Sequence, residues 1–378
     1  MASTQTKADL SNWRESPYNQ WAFVNVDQVV GTHEIKKGQS VHHLATSEKQ
    51  FDEFRIQPKD DVLDLPSFVS ASDTDGLIVL HHGKIVHEQY TRGNDQTSKH
   101  IMMSMTKSVT GLLVGILQDQ GKLHVDDLVT KYVPEVSGTF YKNVTIRQCI
   151  DMRSGAVYPD GNHDYRCAVG WNPENGSEKH TNHLHDFIVN FHPEMANDDR
   201  FEYVSVNTDL VGWVIERATG KTFAEVIQDY LWQPLGAESD ATITVDKAGA
   251  ARAAGGMSAT LRDIARIGLL IVEGGKGIVP TAWLDDIVNN GSKEAFAQGA
   301  WAPGFALHFS GMAYRSHWLC DAPSDVAIAL GIHGQMLFAD RKNGIVVAKT
   351  GSQPDSIDFG KIRMTVLAFK EIQRILLA

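Results

Sequence analysis

Strand-like segments occupy two widely separated parts of this chain, with a long helix-rich stretch between them. Residues Gly76 to Tyr90 read GLIVLHHGKIVHEQY, two alternating apolar runs around His82-Gly83-Lys84, which is the pattern of a β-hairpin closed by a glycine turn. Between Ser104 and Gly121 the apolar residues Val109, Leu112, Leu113, Ile116 and Leu117 recur at helical spacing, and Gly121 stands where a C-terminal cap belongs. From Val125 to about Ala254 helical periodicity and polar loops dominate, with strong helices over Thr208 to Thr219 and Phe223 to Leu235. A helix over Ala259 to Gly274 follows Gly255-Gly256. Strand signals return at Ala327 to Gly331, Gln335 to Ala339 and Gly344 to Ala348, before a last helix from about Gly360 to Leu377. This is the plan of an α/β (α+β) protein. Residues 1–95 and 255–378 form a discontinuous sheet-containing domain, residues 96–254 a mostly helical one, and the cleft between them is the expected place for chemistry.

With 378 residues, 42% of them apolar, the chain can bury a sizeable core. Its net charge of -11 and the lack of any Lys/Arg run exclude a nucleic-acid backbone or an anionic membrane surface as partner. Met1 to Glu15 is polar and lacks the apolar core of a secretory signal, and no stretch reaches the ~20 apolar residues of a membrane span, so a cytoplasmic location is expected. A cell-wall role is correspondingly disfavoured. Cys149, Cys167 and Cys320 are odd in number and widely spaced, which fits neither a disulfide framework nor a zinc site. Residues 1–50 carry little periodicity.

Ser104-Met-Thr-Lys107 fits S-x-x-K. A pattern so short arises about once by chance in a chain of this length, so its placement carries the weight: it opens the buried helix. Residues three apart share a helix face, which puts hydroxyl and amine within reach of each other, and the Ser104 N–H lies at the positive end of the helix dipole, where an oxyanion is stabilised. To act as a base the lysine must lose its charge, so its pKa must fall from about 10.4 through burial or a nearby cation. The competing reading makes Ser104 an N-cap and Lys107 a solvated helix residue. Further on, Tyr203 precedes the apolar helix that begins near Leu210; a phenol beside a lysine ammonium is expected to have a depressed pKa and to relay protons, whereas alone it could equally be a half-buried core aromatic.

Six segments, SNWRESPYNQWAF, HIMMSMTKSVTGLLVGIL, FEYVSVNTDLVGWVIERATG, YLWQPLGAESDATITVD, AAGGMSATLRDIARIG and GIHGQMLFADRKNGIVVAK, span nearly the whole chain. Together they resemble the class C β-lactamase and family VIII esterase lineage, and within it the branch of the 6-aminohexanoate-dimer hydrolases. The resemblance implies a β-lactamase/transpeptidase-like fold, an antiparallel sheet flanked by helices with an inserted mostly helical domain. It makes Ser104 the acylated nucleophile, Lys107 the general base, and Tyr203 the tyrosine of a Tyr-x-Asn element. The backbone N–H of Ile332 becomes the second oxyanion donor beside that of Ser104. Tyr158, on a cleft-closing loop, and Trp318, a pocket aromatic, become substrate contacts. No metal or cofactor is implied, and a homodimer is a family expectation.

Three departures bear on substrate. The Tyr-x-Asn element reads Tyr203-Val-Ser205. The strand that carries Lys-Thr-Gly in β-lactamases reads Ile332-His-Gly334, so the cation that would hold a β-lactam carboxylate is missing. Ala253-Ala254 lacks the polar residue expected ahead of Gly255-Gly256 in a dedicated nylon-dimer hydrolase. A literal Lys349-Thr350-Gly351 falls one hairpin later, after the strand Gly344 to Ala348, in the turn before the last helix, and is read as coincidence.

Other signals are set aside. His42-His43 and His81-His82 are adjacent pairs, expected to point to opposite faces of a strand and so unsuited to joint metal ligation. His333, beside the oxyanion donor, either touches substrate or fills a structural hydrogen-bonding role. There is no G-x-S-x-G elbow, and Gly274-Gly275-Lys276 lacks the rest of a Walker A loop. The reading is a serine hydrolase of a short-acyl ester or small linear amide working through an acyl-enzyme. A β-lactamase or D-amino-acid peptidase relative, and a non-catalytic ligand-binding sensor of the same fold, are the alternatives.

Overall fold

The computed structural model describes residues 7–173, 183–196, 199–305 and 308–378. Its main sheet is antiparallel throughout, in the order β3 (Lys84–Tyr90), β2 (Thr74–His81), β13 (Ile345–Gly351), β12 (Gln335–Asp340), β11 (Val326–Gly331), β10 (Trp318–Asp321) and β9 (Met312–Arg315). The two distant strand regions are joined directly, Val79 lying opposite Val347 across the β2–β13 pair. His82 and Gly83, both at positive φ (47° and 76°), make the tight turn of the β2–β3 hairpin.

The strands read as nearly continuous apolar runs because both faces of the sheet are covered. Ile78, Leu80, Leu337, Ala339, Val346 and Ala348 face one core, shared with the helices Met105–Asp119 and Leu261–Val272. Their alternates Leu77, Val79, Met336, Phe338, Ile345 and Val347 face a second core, closed by the last helix, Phe359–Leu377, whose Phe369 ring stacks on Phe338 at 4.4 Å.

A smaller antiparallel sheet runs β1 (Thr32–Ile35), β7 (Ala241–Thr244), β8 (Met257–Thr260), β4 (Lys99–Ile101), and β5 (Ala156–Val157) pairs with β6 (Glu194–Met195). This second sheet takes strands from the middle of the chain and from its outer parts. It also shifts a boundary: the helix expected from Ala259 starts at Leu261, because 257–260 is recruited as β8. The helix expected over Phe223–Leu235 is helical throughout but loosens into a π turn at Gln228–Trp232.

The Met105–Asp119 helix is buried from Met105 to Leu117. Two of its positions are glycines, which cost on the order of 1 kcal/mol each in a helix relative to alanine. Packing requires them: a Cβ on Gly111 would lie 2.0 Å from Ser316 O, and one on Gly115 2.4 Å from the Trp283 ring.

Lys349-Thr350-Gly351 is not in a turn. β13 extends through Gly351, and the buried Lys349 amine, whose pKa burial lowers to about 7, donates to Ser72 O and Gly334 O at 3.2 and 3.1 Å, which lets a lysine end a core strand. The His81 and His82 rings do not diverge either; they stack at 4.2 Å, because His82 has left the strand for the turn.

Candidate active site

The nucleophile candidate stands where β4 hands over to the long helix. Met102 N–H donates to Met257 O at 2.8 Å, Met103 adopts a φ of 48°, and the chain turns so that Ser104 immediately precedes the first helical turn. A bulky residue in that conformation costs on the order of 1–3 kcal/mol and persists where its surroundings over-determine it. Ser104 makes no side-chain capping bond, so its hydroxyl is not spent on the helix end. It faces Lys107 instead, whose Nζ lies 3.0 Å from Ser104 Oγ.

Lys107 is 1% exposed, and its Nζ donates to Ala254 O at 2.7 Å. Burial lowers its pKa to about 7; the Asp160 carboxylate opposes the shift and the Arg252 guanidinium adds to it. At neutral pH a large share of this lysine carries the lone pair that a base needs.

Tyr203 completes the trio. Ser104 acts on its phenol, Lys107 Nζ sits 4.7 Å from its ring centroid, and the ring stacks on Trp301 at 4.3 Å. The expected depression of its pKa is reversed: burial first, then the Asp160 carboxylate, push the phenol upward. Tyr203 therefore keeps its proton at neutral pH.

Ser104 and Tyr203 open on a cavity of about 350 Å³ that is also lined by Tyr158, Trp171, Trp301 and Ile332, with Lys107 buried behind Ser104. Gly331 is what lets the Ile332 turn approach Ser104, since a Cβ there would lie 2.5 Å from Met102 O. The turn is held by Gln335, whose Nε2 donates to Gly351 O at 2.6 Å and to His333 O at 3.2 Å, and whose Oε1 accepts from Gly351 N at 3.0 Å. Tyr158 packs edge-on against Phe191 at 5.0 Å, and burial raises its pKa to about 12.

Two expected substrate contacts lie elsewhere. Trp318 is fully buried in β10 as part of the core, and the tryptophans that reach the cavity are Trp171 and Trp301. His333 adopts a left-handed backbone (φ 60°), hydrogen-bonds Gln353 O through Nδ1 at 2.7 Å and packs edge-on against Phe23 at 5.2 Å. Burial lowers its pKa to about 4, which leaves it a neutral brace for the turn.

Several lining residues carried no local signal in the sequence. Asp160 is fixed by Ser205, which donates to it from N–H at 2.8 Å and from Oγ at 2.5 Å. Asp209 accepts from Arg252 at 2.7 Å, from Tyr165 Oη at 2.5 Å and from Ala254 N at 2.8 Å, which braces the segment that holds Lys107. Arg14 lies in the otherwise uninformative N-terminal segment; the run SNWRESPYNQWAF, with its paired tryptophans, was the one available hint. Positions 174–182, the end of the loop that starts at Tyr158, lie outside the described residues. Among the described residues no group of three or more His, Cys, Asp or Glu side chains is arranged to hold a metal ion, and no helix is long and apolar enough to cross a membrane.

The sequence profile of the β-lactamase family matches residues 69–368. The 6-aminohexanoate-dimer hydrolase of Paenarthrobacter ureafaciens is 30% identical over 358 residues, which is 92% of this chain and 88% of that protein. The structure of a candidate 6-aminohexanoate-dimer hydrolase from Bacillus anthracis superposes with a TM-score of 0.88 at 22% identity, covering 100% of this chain and 98% of the other. A D-stereospecific amidohydrolase from Streptomyces sp. follows the same fold with a TM-score of 0.59 at 18% identity, over 78% and 94% of the two chains.

Proposed function

The chain belongs to the β-lactamase family and is a serine hydrolase, and from that premise we propose that Ser104, Lys107 and Tyr203 carry an acyl-enzyme reaction on a short-acyl ester or small linear amide. The observation that carries the assignment is the 3.0 Å approach of an uncapped serine hydroxyl to a buried lysine amine on the floor of the cavity.

Neutral Lys107 takes the Ser104 proton as Oγ attacks the carbonyl carbon. The N–H groups of Ser104 and Ile332 receive the developing oxyanion. Tyr203 gives its proton to the departing alcohol or amine as the C–O or C–N bond breaks, and the Lys107 ammonium reprotonates it. In the second half a water gives up its proton to the same relay, attacks the acyl carbon and releases the acid, and Ser104 regains its hydrogen. Tyr158 and Trp301 serve as cavity walls. The division of the chain into 1–95 with 255–378 and 96–254 belongs to this reading, since lining residues come from both parts, Ile332 from one and Tyr203 from the other.

The substrate preference rests on the Ile332-His333-Gly334 turn, which lacks the lactam-carboxylate cation, and on the relative named as a 6-aminohexanoate-dimer hydrolase. The test is the initial rate on p-nitrophenyl acetate and butyrate for wild type and Ser104→Ala. A fall of ~10³ or more is expected on removing a nucleophile. Equal rates would refute the assignment, and nitrocefin turnover as fast as ester turnover would overturn the substrate class.

A further inference from the structure

The cavity holds more positive charge than this chemistry uses. Arg14, Arg166 and Arg252 all line it. Arg252 is neutralised: burial works against its charge, but Tyr165 and the Asp209 carboxylate beside it prevail. Arg14 and Arg166 have no such partner. Among the described residues neither forms an ion pair with a carboxylate, and the Arg166 side chain makes no hydrogen bond.

Arg14 is held in place without being neutralised. Its guanidinium lies over the Trp13 and Trp171 rings, 5.4 and 5.7 Å from their centroids, and donates to the Asn172 amide oxygen, while its buried Nε has no hydrogen-bond partner among the described residues. Burial weighs most against its charge, followed by repulsion from Arg166 and Arg252. A guanidinium cannot escape by losing its proton at neutral pH. Of the two carboxylates that also line the cavity, Asp160 is held by Ser205 and offsets the charge of Arg166 only in part and without a direct ion pair, while Asp358 is the N-cap of the last helix, where it accepts from Lys361 N at 3.0 Å. Two unpaired forks of like charge in a partly dry cavity are unfavourable when empty and favourable once an anion enters. A planar carboxylate matches their geometry.

We propose that Arg14 and Arg166 form a carboxylate subsite, so that the preferred substrate is a linear ester or amide whose acyl part ends in a free carboxylate. This rests on Ser104 being the nucleophile of the same cavity. The acyl part is assigned to this side because Arg14 lies over Trp171, whereas Tyr203, which serves the leaving group, stacks on Trp301. The cation missing from the Ile332-His333-Gly334 strand motif is thus supplied by the N-terminal segment and by the short helix His163–Ala168.

Three p-nitrophenyl esters with six-carbon acyl chains test this: hexanoate, mono-adipate with a terminal carboxylate, and 6-aminohexanoate with a terminal ammonium. The readout is the ratio of kcat/KM values within each variant, which is independent of how much of that variant is folded. In the wild type the adipate ester should exceed the hexanoate by about tenfold and the aminohexanoate by more, a preference weakened by added salt. Arg14→Gln and Arg166→Gln should each reduce the adipate-to-hexanoate ratio about fivefold or more, and Arg166→Asp should shift preference toward the ammonium ester. A wild-type ratio near one, with hydrolysis still dependent on Ser104, would overturn the subsite and leave the catalytic reading standing. So would a ratio that survives in both glutamine variants. If none of the esters is turned over in a Ser104-dependent way, the catalytic reading and the substrate class fall together.

Discussion

The protonation state of Lys107 governs how the rate depends on pH. Its ordinary pKa is 10.5, and burial brings it to about 7. At pH 7.5 about three quarters of a lysine with a pKa near 7 is neutral, against about 0.1% of one left at 10.5, so burial enlarges the competent population by about 750-fold, or about 4 kcal/mol. Protonation removes the base, so kcat/KM for p-nitrophenyl butyrate should rise with pH along a limb of unit slope whose midpoint is near 7. At pH 6 the rate should be about one tenth of the plateau. Initial rates from pH 5.5 to 9 in a constant-ionic-strength buffer, read at the isosbestic wavelength of p-nitrophenol, give the curve. Asp160→Asn adds a signed test. Asp160 favours the ammonium; removing its charge makes protonation harder, and the midpoint should move to lower pH while the Asn oxygen can still accept from Ser205. A limb centred above pH 9, a profile flat from pH 6 to 8, or a midpoint that rises in Asp160→Asn would refute the reasoning.

Gly111→Ala should destabilise the fold by about 3 kcal/mol or more, seen as a lowered midpoint in thermal unfolding, because the new Cβ would meet Ser316 O at 2.0 Å in a backbone-to-backbone contact that cannot yield cheaply. Trp301→Ala should lower kcat/KM on p-nitrophenyl butyrate by up to about tenfold through loss of the stack on Tyr203. Trp318→Phe should lower thermal stability and leave KM unchanged, because that side chain is core; a raised KM in Trp318→Phe would return it to the cleft.

What the sequence disclosed follows from the range of the interactions. Ser104 and Lys107 were legible as a pair because a single helix turn sets their geometry, and β2, β3 and β11 to β13 because period-two or unbroken apolar runs mark strands. Trp318 was not recognisable as core, since which face of β10 meets the core depends on how β9 to β11 pair, and Trp301 went unnoticed because the segment that carries it has no periodicity. His333 could be placed beside the oxyanion turn, but its partners, Gln353 and Phe23, lie 20 and 310 positions away in the chain. The end of β13 was hidden because Lys349 and Thr350 look like turn residues, and only the carbonyls of Ser72 and Gly334 explain how a lysine is tolerated there. The direction of the Tyr203 shift runs against the expectation because it is set by burial of the phenol and then by the Asp160 carboxylate, and neither has a local sequence signature.

Two departures from the lactamase pattern take on physical meaning once the cleft is assembled. Ser205, where the motif has asparagine, directs both its N–H and its hydroxyl at Asp160. That position therefore serves a loop carboxylate rather than a substrate amide, and the carboxylate in turn favours the charged form of Lys107 and raises the pKa of Tyr203. Ala254, where a polar residue was expected, contributes only its backbone: its carbonyl holds Lys107 and its N–H is held by Asp209. With no polar side chain at 254, the polar lining of the cavity comes from elsewhere, Arg14 and Arg166 among it. A cleft altered at both positions has exchanged contacts from the motif for contacts from the loop that begins at Tyr158 and from the N-terminal segment. The proposed subsite thus places the determinants of specificity at Arg14 and Arg166, beside Asp160, and outside the Tyr-x-Asn and Lys-Thr-Gly positions.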